Sequence, residues 1–304
     1  MTVPLLAASG VVVRRGRRDV VRRVDLTAGP GEVVAMLGPN GAGKSTLLAA
    51  LGGMLPLASG RVERRGRVAA VLQTPGLARR TARANVEAAL GWWGTPRSQR
   101  RARADTALAA MRASGLAHRN ATTLSGGEQR RVHLARAVAV AAEVTLLDEP
   151  FDGLDPATHV ALRDDTVAAL RAGGGAVVIV LHDRADAWAV ADRVVVLLNG
   201  VLRADAPPRD LLQTPPSAEV ARFLGYDGQI VDDGGVTLTR AATVIPDSTG
   251  DLRGVVSRVV LTEDASRVEV DTGRGTVWAT DRKHEYRPGD WITLRVEHGV
   301  HFDP

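Results

Sequence analysis

The stretch Gly38-Pro39-Asn40-Gly41-Ala42-Gly43-Lys44-Ser45-Thr46 decides the fold of this chain. It matches the pattern G-x-x-x-x-G-K-[ST] of a phosphate-binding loop. Glycines let the backbone curve closely around an anion, so that successive N–H groups point at it. The pattern predicts that Lys44 reaches the β- and γ-phosphates of a nucleotide and that the Ser45 hydroxyl holds Mg²⁺.

The residues on either side of this loop support a strand–loop–helix unit. Residues 32–37 are almost entirely apolar and predict a buried strand, and residues 47–51 predict a helix whose N-terminus adds a positive dipole. The chain has 39 basic residues, of which only Lys44 and Lys283 are lysines. A compact ammonium fits a tight phosphate loop where a guanidinium fork would not. We therefore interpret the loop as a nucleotide site.

Composition limits the remaining possibilities. A chain of 304 residues can hold two domains, and 45% apolar residues is ordinary for a folded soluble protein. No run approaches the roughly 18–20 apolar residues of a membrane span, and the first residues lack the basic region of a secretory signal. The absence of cysteine excludes disulfides and thiolate metal sites. A net charge of +5 permits contact with nucleic acid or anionic membranes, but few aromatics lie among the arginine clusters, so we expect a solvated basic surface and no nucleic-acid partner.

The order of predicted elements indicates an α/β fold followed by a small all-β domain. Apolar strands alternate with helical stretches through the first 226 residues, which predicts a parallel sheet, and residues 79–135 are mostly helical and alanine-rich. After Gly225 the chain changes to short alternating strands separated by glycine-rich turns, as in a small barrel or sandwich. We expect the domains to cover residues 1–226 and 229–304.

Polar residues at the ends of three predicted strands complete a candidate hydrolytic site. Asp148 ends the apolar strand from Val144 and is placed to organise Mg²⁺ opposite Ser45, while Glu149 can polarise a water for attack on the γ-phosphate. His182 ends the next strand and could sense the γ-phosphate or orient that water. Gln73 also ends a strand, where it either holds a metal-bound water or is merely exposed.

A second anion site is predicted far from the first in sequence. In Leu124-Ser125-Gly126-Gly127-Glu128-Gln129-Arg130-Arg131, the serine and two glycines open a helix without an adjacent lysine. Two phosphate-binding helix starts in one chain suggest that two chains share each nucleotide.

With these motifs the chain resembles the ATP-binding subunits of ABC transporters. Residues 38–46 resemble the Walker A motif of that family, 144–150 the Walker B motif, and 124–129 the signature motif. Leu154-Asp155 is similar to its D-loop, Gln73 to its Q-loop and His182 to its switch histidine. The motifs occur in the family's order over about residues 1–225.

This resemblance implies a P-loop NTPase cassette that hydrolyses ATP with Mg²⁺. It implies a head-to-tail homodimer or pseudo-dimer, in which the Walker A residues of one subunit and Ser125, Gly126, Gly127 and Glu128 of the other enclose ATP. Glu149 would be the base, Ser45, Asp148 and Gln73 would serve the metal, and the helical stretch would face integral membrane permease subunits. The subunit would lie at the cytoplasmic face of the membrane.

The C-terminal segment is similar to the OB-like (TOBE-type) regulatory domain of importer ATPases for molybdate, sulfate, sugars and polyamines. One departure from the family is Arg15, which stands where an aromatic residue usually stacks on adenine. A guanidinium can also stack on a base. Two alternatives to an importer subunit are an export ATPase and a soluble ABC-type ATPase acting on ribosomes or DNA.

Overall fold

The computed structural model describes residues 3–303, which form two compact units. The first unit ends at Pro208 and the second begins at Arg209. Within the described residues, no helix is both long enough and apolar enough to cross a bilayer.

The first unit has nine strands and six helices among its described residues. The strands are β1 (Leu6–Arg15), β2 (Arg18–Ala28), β3 (Val33–Leu37), β4 (Ser59–Arg64), β5 (Val68–Val71), β6 (Val144–Asp148), β7 (Ala176–Val180), β8 (Arg193–Leu198) and β9 (Val201–Ala206). The helices are α1 (Lys44–Leu51), α2 (Ala82–Trp92), α3 (Arg97–Ala110), α4 (Gly126–Val140), α5 (Pro156–Ala172) and α6 (Arg184–Val190). Short 3-10 turns at Ser114–Leu116 and Ala121–Thr123 connect α3 to α4.

The central sheet has the strand order β5-β6-β7-β3-β8-β9, with every neighbouring pair parallel except β8 and β9. Strands β3, β6 and β7 are buried along their whole length, which explains their continuous apolar sequences. Because these strands are parallel, the loops that follow β3, β6 and β7 meet at one edge of the sheet. The phosphate loop, the acidic pair and His182 follow these three strands.

A second, antiparallel sheet of order β2-β1-β4 covers one face of the core. Its apolar residues, including Val11 and Val24, pack with Leu47 and Leu51 of α1 and with Met36 of the central sheet. Residues on the opposite face, such as Ile179, are also fully buried. The predicted strands and helices of this unit are therefore present as expected.

The predicted helical stretch at 79–135 consists of α2, α3 and the greater part of α4, which continues to Val140. Thr81 caps α2 by accepting a hydrogen bond from the Ala84 N–H at 3.2 Å. Apolar residues such as Leu90 and Leu108 are fully buried, and each of these three helices packs against the other two. The arginine-rich face of α3 is left toward solvent.

The second unit contains two short helices and eight strands among its described residues. The helices are α7 (Pro208–Gln213), whose first residue falls at the division between the units, and α8 (Ala218–Phe223). The strands are β10 (Gly228–Asp232), β11 (Gly235–Thr239), β12 (Val244–Pro246), β13 (Leu252–Leu261), β14 (Ser266–Asp271), β15 (Thr276–Asp281), β16 (Trp291–Val296) and β17 (Gly299–Phe302).

These strands form a five-stranded sheet of order β12-β16-β13-β14-β15 and a three-stranded sheet of order β10-β11-β17, all antiparallel. Strands β12 and β15 also lie beside each other, so the larger sheet is nearly closed around a core that includes Val256, Val268 and Leu294. This barrel-like arrangement fits the OB-like domain expected from the alternating pattern.

The division between the two compact units lies earlier in the chain than the boundary expected between residues 226 and 229. Ala221 of α8 and Tyr226 are buried against Leu238 of β11, and the Tyr226 hydroxyl donates to the Leu212 carbonyl at 2.6 Å. The segment from Arg209 to Tyr226 therefore packs with the second unit, although its helical pattern continues that of the first.

Candidate nucleotide site

The phosphate loop connects β3 to α1 in a conformation that only glycine allows at two positions. Gly43 has a φ of 102°, and a Cβ on it would lie 2.9 Å from the Val20 carbonyl oxygen. A Cβ on Gly38 would lie 2.2 Å from the Leu197 carbonyl oxygen. Both glycines are therefore required by close backbone packing as well as by the anion that the loop would surround.

Lys44 is the first residue of α1, and its side chain is folded back into the loop. Its ammonium donates hydrogen bonds to the carbonyls of Gly38 at 2.8 Å and Pro39 at 3.2 Å, and the residue is only 5% exposed. Burial lowers the pKa of Lys44, while the carboxylates of Glu149 and Asp148 act in the opposite direction. The loop thus holds a desolvated cation where the pattern predicted one.

Ser45 and Asp148 come together across the end of the sheet. The Ser45 hydroxyl donates to Oδ1 of Asp148 at 3.0 Å. Burial raises the pKa of Asp148, the hydrogen bond from Ser45 lowers it, and the neighbouring Glu149 raises it. A hydroxyl and a carboxylate at this spacing are oxygen ligands of the kind that Mg²⁺ prefers.

Glu149 is contacted on both carboxylate oxygens. Its Oε1 lies 2.7 Å from Nε2 of His182, and its Oε2 accepts a hydrogen bond from the Gln73 amide at 2.9 Å. The side chain of Glu149 is 10% exposed and that of His182 is 39% exposed. The structure therefore brings three predicted residues into one cluster, in which Gln73 contacts the predicted base.

The backbone at Glu149 is in the left-handed region, with a φ of 47°. For a residue with a Cβ this conformation costs about 1–2 kcal/mol. It is held by a hydrogen bond from the Glu149 N–H to the Val180 carbonyl at 3.2 Å. Strain of this kind is common at functional sites, where the surrounding structure fixes a side chain in one direction.

Two members of the cluster were not predicted from the sequence. Asp152 Oδ2 lies 3.6 Å from Nε2 of His182, and Glu149, Asp152 and His182 each place a potential ligand atom within 4.8 Å of the others. Burial raises the pKa of Asp152, while the nearby imidazole of His182 lowers it. Arg130 of α4 donates to the Gln73 carbonyl at 2.8 Å. No short motif in the sequence singles out these contacts, because they depend on tertiary packing.

The predicted signature residues form the capped start of α4. Ser125 Oγ accepts from the Glu128 N–H at 3.4 Å, and a Glu128 carboxylate oxygen accepts from the Ser125 N–H at 2.8 Å, which together make a capping box. Arg119 donates to the other oxygen of Glu128 at 2.6 Å. Glu128 thus stabilises this turn, and Gly126 and Gly127 leave the first two positions of the helix without side chains.

Arg15, which stands at the position expected for base stacking, ends β1 at a tight hairpin. It pairs with Arg18, the first residue of β2. Strand β2 also carries Val20, whose carbonyl lies against Gly43 of the phosphate loop. The hairpin is therefore close to the predicted nucleotide.

Comparison with known proteins identifies the family of the chain. Residues 21–152 match the family model described as ABC transporter. The chain is 39% identical to the Fe(3+) ions import ATP-binding protein of Streptomyces coelicolor, over 75% of this chain and 69% of that protein. It is 34% identical to the sulfate/thiosulfate import ATP-binding protein of Mycobacterium tuberculosis, over 97% of this chain and 93% of that protein.

Solved structures give the same result. A structure titled as the ATP-binding subunit of an ABC transporter superposes with a TM-score of 0.63 at 25% identity, covering 68% of this chain and 91% of that chain. Another is cbiO1 from Clostridium perfringens, part of the ABC transporter complex cbiONQ, with a TM-score of 0.62 at 25% identity, covering 68% of this chain and 90% of that chain. This chain belongs to the family of ATP-binding subunits of ABC transporters, of the importer type. It is therefore an ATPase.

Proposed function

We propose that the chain works as a head-to-tail homodimer or pseudo-dimer that hydrolyses ATP to drive solute import through membrane-embedded permease subunits. The observation that carries the proposal is that the first unit has two separate helix starts suited to a phosphate chain, at α1 and α4. Only the first has a lysine. The helix start at α4 would therefore bind the nucleotide that the phosphate loop of a second subunit holds.

In this proposal the residues around the phosphate loop divide the work. Lys44 and the loop N–H groups bind the phosphates, and Ser45 and Asp148 would hold Mg²⁺, which neutralises phosphate charge when bound. Glu149 takes the proton of the attacking water, and His182 and Gln73 keep its carboxylate oriented. Ser125, Gly126 and Gly127 bind the nucleotide of the opposite subunit through the N-terminus of α4.

A complementation experiment tests the shared site. Lys44→Ala removes the cation of one site, and Gly126→Asp places a carboxylate at the other helix start. A Cβ at Gly126 meets nothing within 4 Å, so Gly126→Asp should fold normally. Each variant alone should be inactive, and a mixture should regain part of the ATPase activity. Heterodimers that form and remain inactive would show either that the sites are not shared in this way or that both sites must be intact for hydrolysis.

Gly115→Asp is the matched control for this experiment. A Cβ on Gly115 would also meet nothing within 4 Å, and this glycine lies in the connection between α3 and α4, outside both helix starts. The variant should hydrolyse ATP by itself and should leave the mixture's activity unchanged.

The surface at the end of α2 supports a permease partner. Trp92 is 80% exposed, and with Trp93 it borders a groove lined by β5 and by His133 and Arg136 of α4. His133 is 6% exposed and its Nδ1 has no hydrogen-bond partner among the described residues. Exposed indole is enriched at surfaces that another protein covers. This partner would place the subunit at the cytoplasmic face of the membrane.

Co-purification with the permease tests this surface. Trp92→Ser should weaken retention by the permease while the isolated subunit keeps its ATPase rate. Trp291→Ser removes another exposed tryptophan, 65% exposed and in the second unit, and should leave retention unchanged. Equal retention of both variants would remove Trp92 from the interface.

We propose a regulatory role for the second unit, of the TOBE type, and an inorganic solute for the transporter. The relatives that match nearly the whole chain are named for import of sulfate/thiosulfate and of Fe(3+) ions. These names favour such solutes over the molybdate, sugars or polyamines that the resemblance suggested. Uptake of labelled sulfate and ferric iron by cells with and without the subunit tests the choice.

A further inference from the structure

A buried ionic network joins α5 to α6 behind the candidate site. Nε2 of His159 lies 2.6 Å from Oδ2 of Asp186, and Arg163 donates to Oδ1 of the same carboxylate at 2.8 Å. The side chains of Asp186 and Arg163 are 8% and 12% exposed. Asp186 therefore has both oxygens bound by side chains of the neighbouring helix.

One end of this network leads to His182. The residue after it, Asp183, caps α6 by accepting from the Ala185 N–H at 2.8 Å. Asp186 lies in the first turn of that helix. The position of the α6 N-terminus, and with it the backbone that carries His182, is thus fixed by the ties of Asp186 to α5.

The other end leads to Glu149. His159 packs against the ring of Phe151 in an edge-on arrangement with centroids 5.8 Å apart, and Phe151 is 1% exposed. Phe151 lies two residues after Glu149. The backbone N–H of His159 also donates to the carbonyl of Asp155, the cap of α5, at 2.8 Å. His159 therefore restrains the segment that follows the predicted base.

The contact between Glu149 and His182 closes a ring with this network. A buried carboxylate bound on both oxygens resists displacement, because moving it would leave charged groups unpaired away from water. By contrast, the side chain of His182 is more than a third exposed, and its imidazole contacts the carboxylates of Glu149 and Asp152. The separation of His182 from Glu149 then depends on how α5 holds α6.

We propose that His159, Asp186 and Arg163 are positioning residues that hold His182 against Glu149 during ATP hydrolysis. None of the three belongs to the nucleotide motifs. The inference rests on the proposed roles of Glu149 and His182 and adds the part of the fold that sets their geometry. Loss of the network should lower kcat and leave the KM for ATP nearly unchanged, because the phosphate loop is untouched.

The experiment is a double-mutant cycle on the full chain with Mg²⁺ and ATP. His159→Ala should lower kcat by about 10-fold, since misplacing a reacting group by about 1 Å can cost up to 10²-fold. In a His182→Ala background the same change should lower the residual rate, followed with radiolabelled ATP, by less than about twofold. His159→Gln and His159→Arg, which can still donate to Asp186, should regain at least half of the lost rate.

The matched control is His118→Ala, because His118 is exposed and lies in the same unit. It should keep the kcat of the unchanged chain. Equal losses from His159→Ala in both backgrounds would overturn the inference, since the histidine would then act independently of His182. So would a parallel loss of ATP affinity and Tm, which would indicate a structural role. If His159→Ala does not fold, Asp186→Asn, which removes the charge that both side chains bind, replaces it in the same cycle.

The proposed function can fail separately from this inference. Full hydrolysis by His182→Ala would remove the role of His182 and the network's role with it. An inactive His182→Ala chain combined with a fully active His159→Ala chain would overturn only the network.

Discussion

Oε1 of Glu149 lies 2.7 Å from Nε2 of His182, while the other oxygen of the same carboxylate accepts a hydrogen bond from Gln73 at 2.9 Å. These two partners follow different strands of the central sheet, β7 and β5. The carboxylate is therefore oriented from two sides by protein side chains. A general base held in one orientation by its neighbours loses little freedom in the transition state.

The first prediction is that Glu149→Gln abolishes turnover and preserves ATP binding. The amide has the same size but cannot take a proton, and loss of a general base typically lowers the rate by about 10²–10⁴-fold. Lys44 and the phosphate loop remain, so the affinity for ATP should stay within about twofold. Steady-state hydrolysis and binding of a fluorescent ATP analogue measure the two effects.

The control for this change is Glu263→Gln, which alters an exposed glutamate of the second unit. It should hydrolyse ATP normally. Near-normal hydrolysis by purified Glu149→Gln protein would exclude Glu149 as the base.

A second prediction concerns the metal. Ser45→Ala removes the hydroxyl that donates to Asp148, and burial already raises the pKa of that carboxyl. We expect the Mg²⁺ concentration required for half-maximal hydrolysis to rise by about 10-fold or more. ATP binding measured in EDTA should not change, because Lys44 is intact.

Ser98→Ala is the control, since Ser98 is exposed on α3. It should leave the Mg²⁺ requirement unaltered. A Ser45→Ala chain with an ordinary Mg²⁺ requirement would show that the hydroxyl does not hold the metal.

Local patterns predict the fold and most of the candidate site because each depends on few residues. The phosphate loop, the acidic pair and the capped start of α4 are short motifs whose backbone geometry follows from glycine, strand and cap preferences. Asp152 and the Arg130 contact to Gln73 were not predicted, because they join side chains that only the folded sheet brings together.

Local sequence patterns also predict the C-terminal segment incompletely. Helix α7 begins at Pro208, where the pair Pro207-Pro208 suggests a break in the chain, although proline is favoured in the first turn of a helix. The pairing of strand β17 with β11, about sixty residues earlier in the chain, was not predicted, because a four-residue strand carries no signal that names its partner.

A third prediction concerns acid stability. Burial, with the nearby Arg136 and Arg130, lowers the pKa of His133 from 6.5 to about 3. Between these two values the unfolded chain binds more protons at this histidine than the folded chain does. The free energy of unfolding should therefore fall as the pH is lowered through that window, by at most about 1.4 kcal/mol per pH unit from this group.

His133→Leu removes the titrating group and the unpartnered Nδ1 atom. We expect urea unfolding of this variant, measured at several pH values from about 7 to about 4, to show a smaller fall in the free energy of unfolding with pH than in the unchanged chain. His118→Leu, at an exposed histidine, should keep the original slope. Identical slopes in all three chains would show that His133 is not the group responsible.

The last prediction concerns where the chain can be cut. A chain ending at Pro208 contains all of the first unit, including every nucleotide motif, and should fold and hydrolyse ATP. A chain ending at Gly228, the boundary expected from sequence, also carries α7, α8 and Tyr226 but lacks β11. Ala221 and Tyr226 would then lose the cover of Leu238. Exposed apolar surface of this kind favours association, so the longer chain should bind more of a hydrophobic dye and form larger species on sedimentation.

ATPase rate, dye binding and sedimentation of the two chains, measured side by side, test the division. If the chain ending at Pro208 is folded but does not bind ATP, or if the chain ending at Gly228 is the better behaved, then α7 and α8 belong with the nucleotide-binding unit.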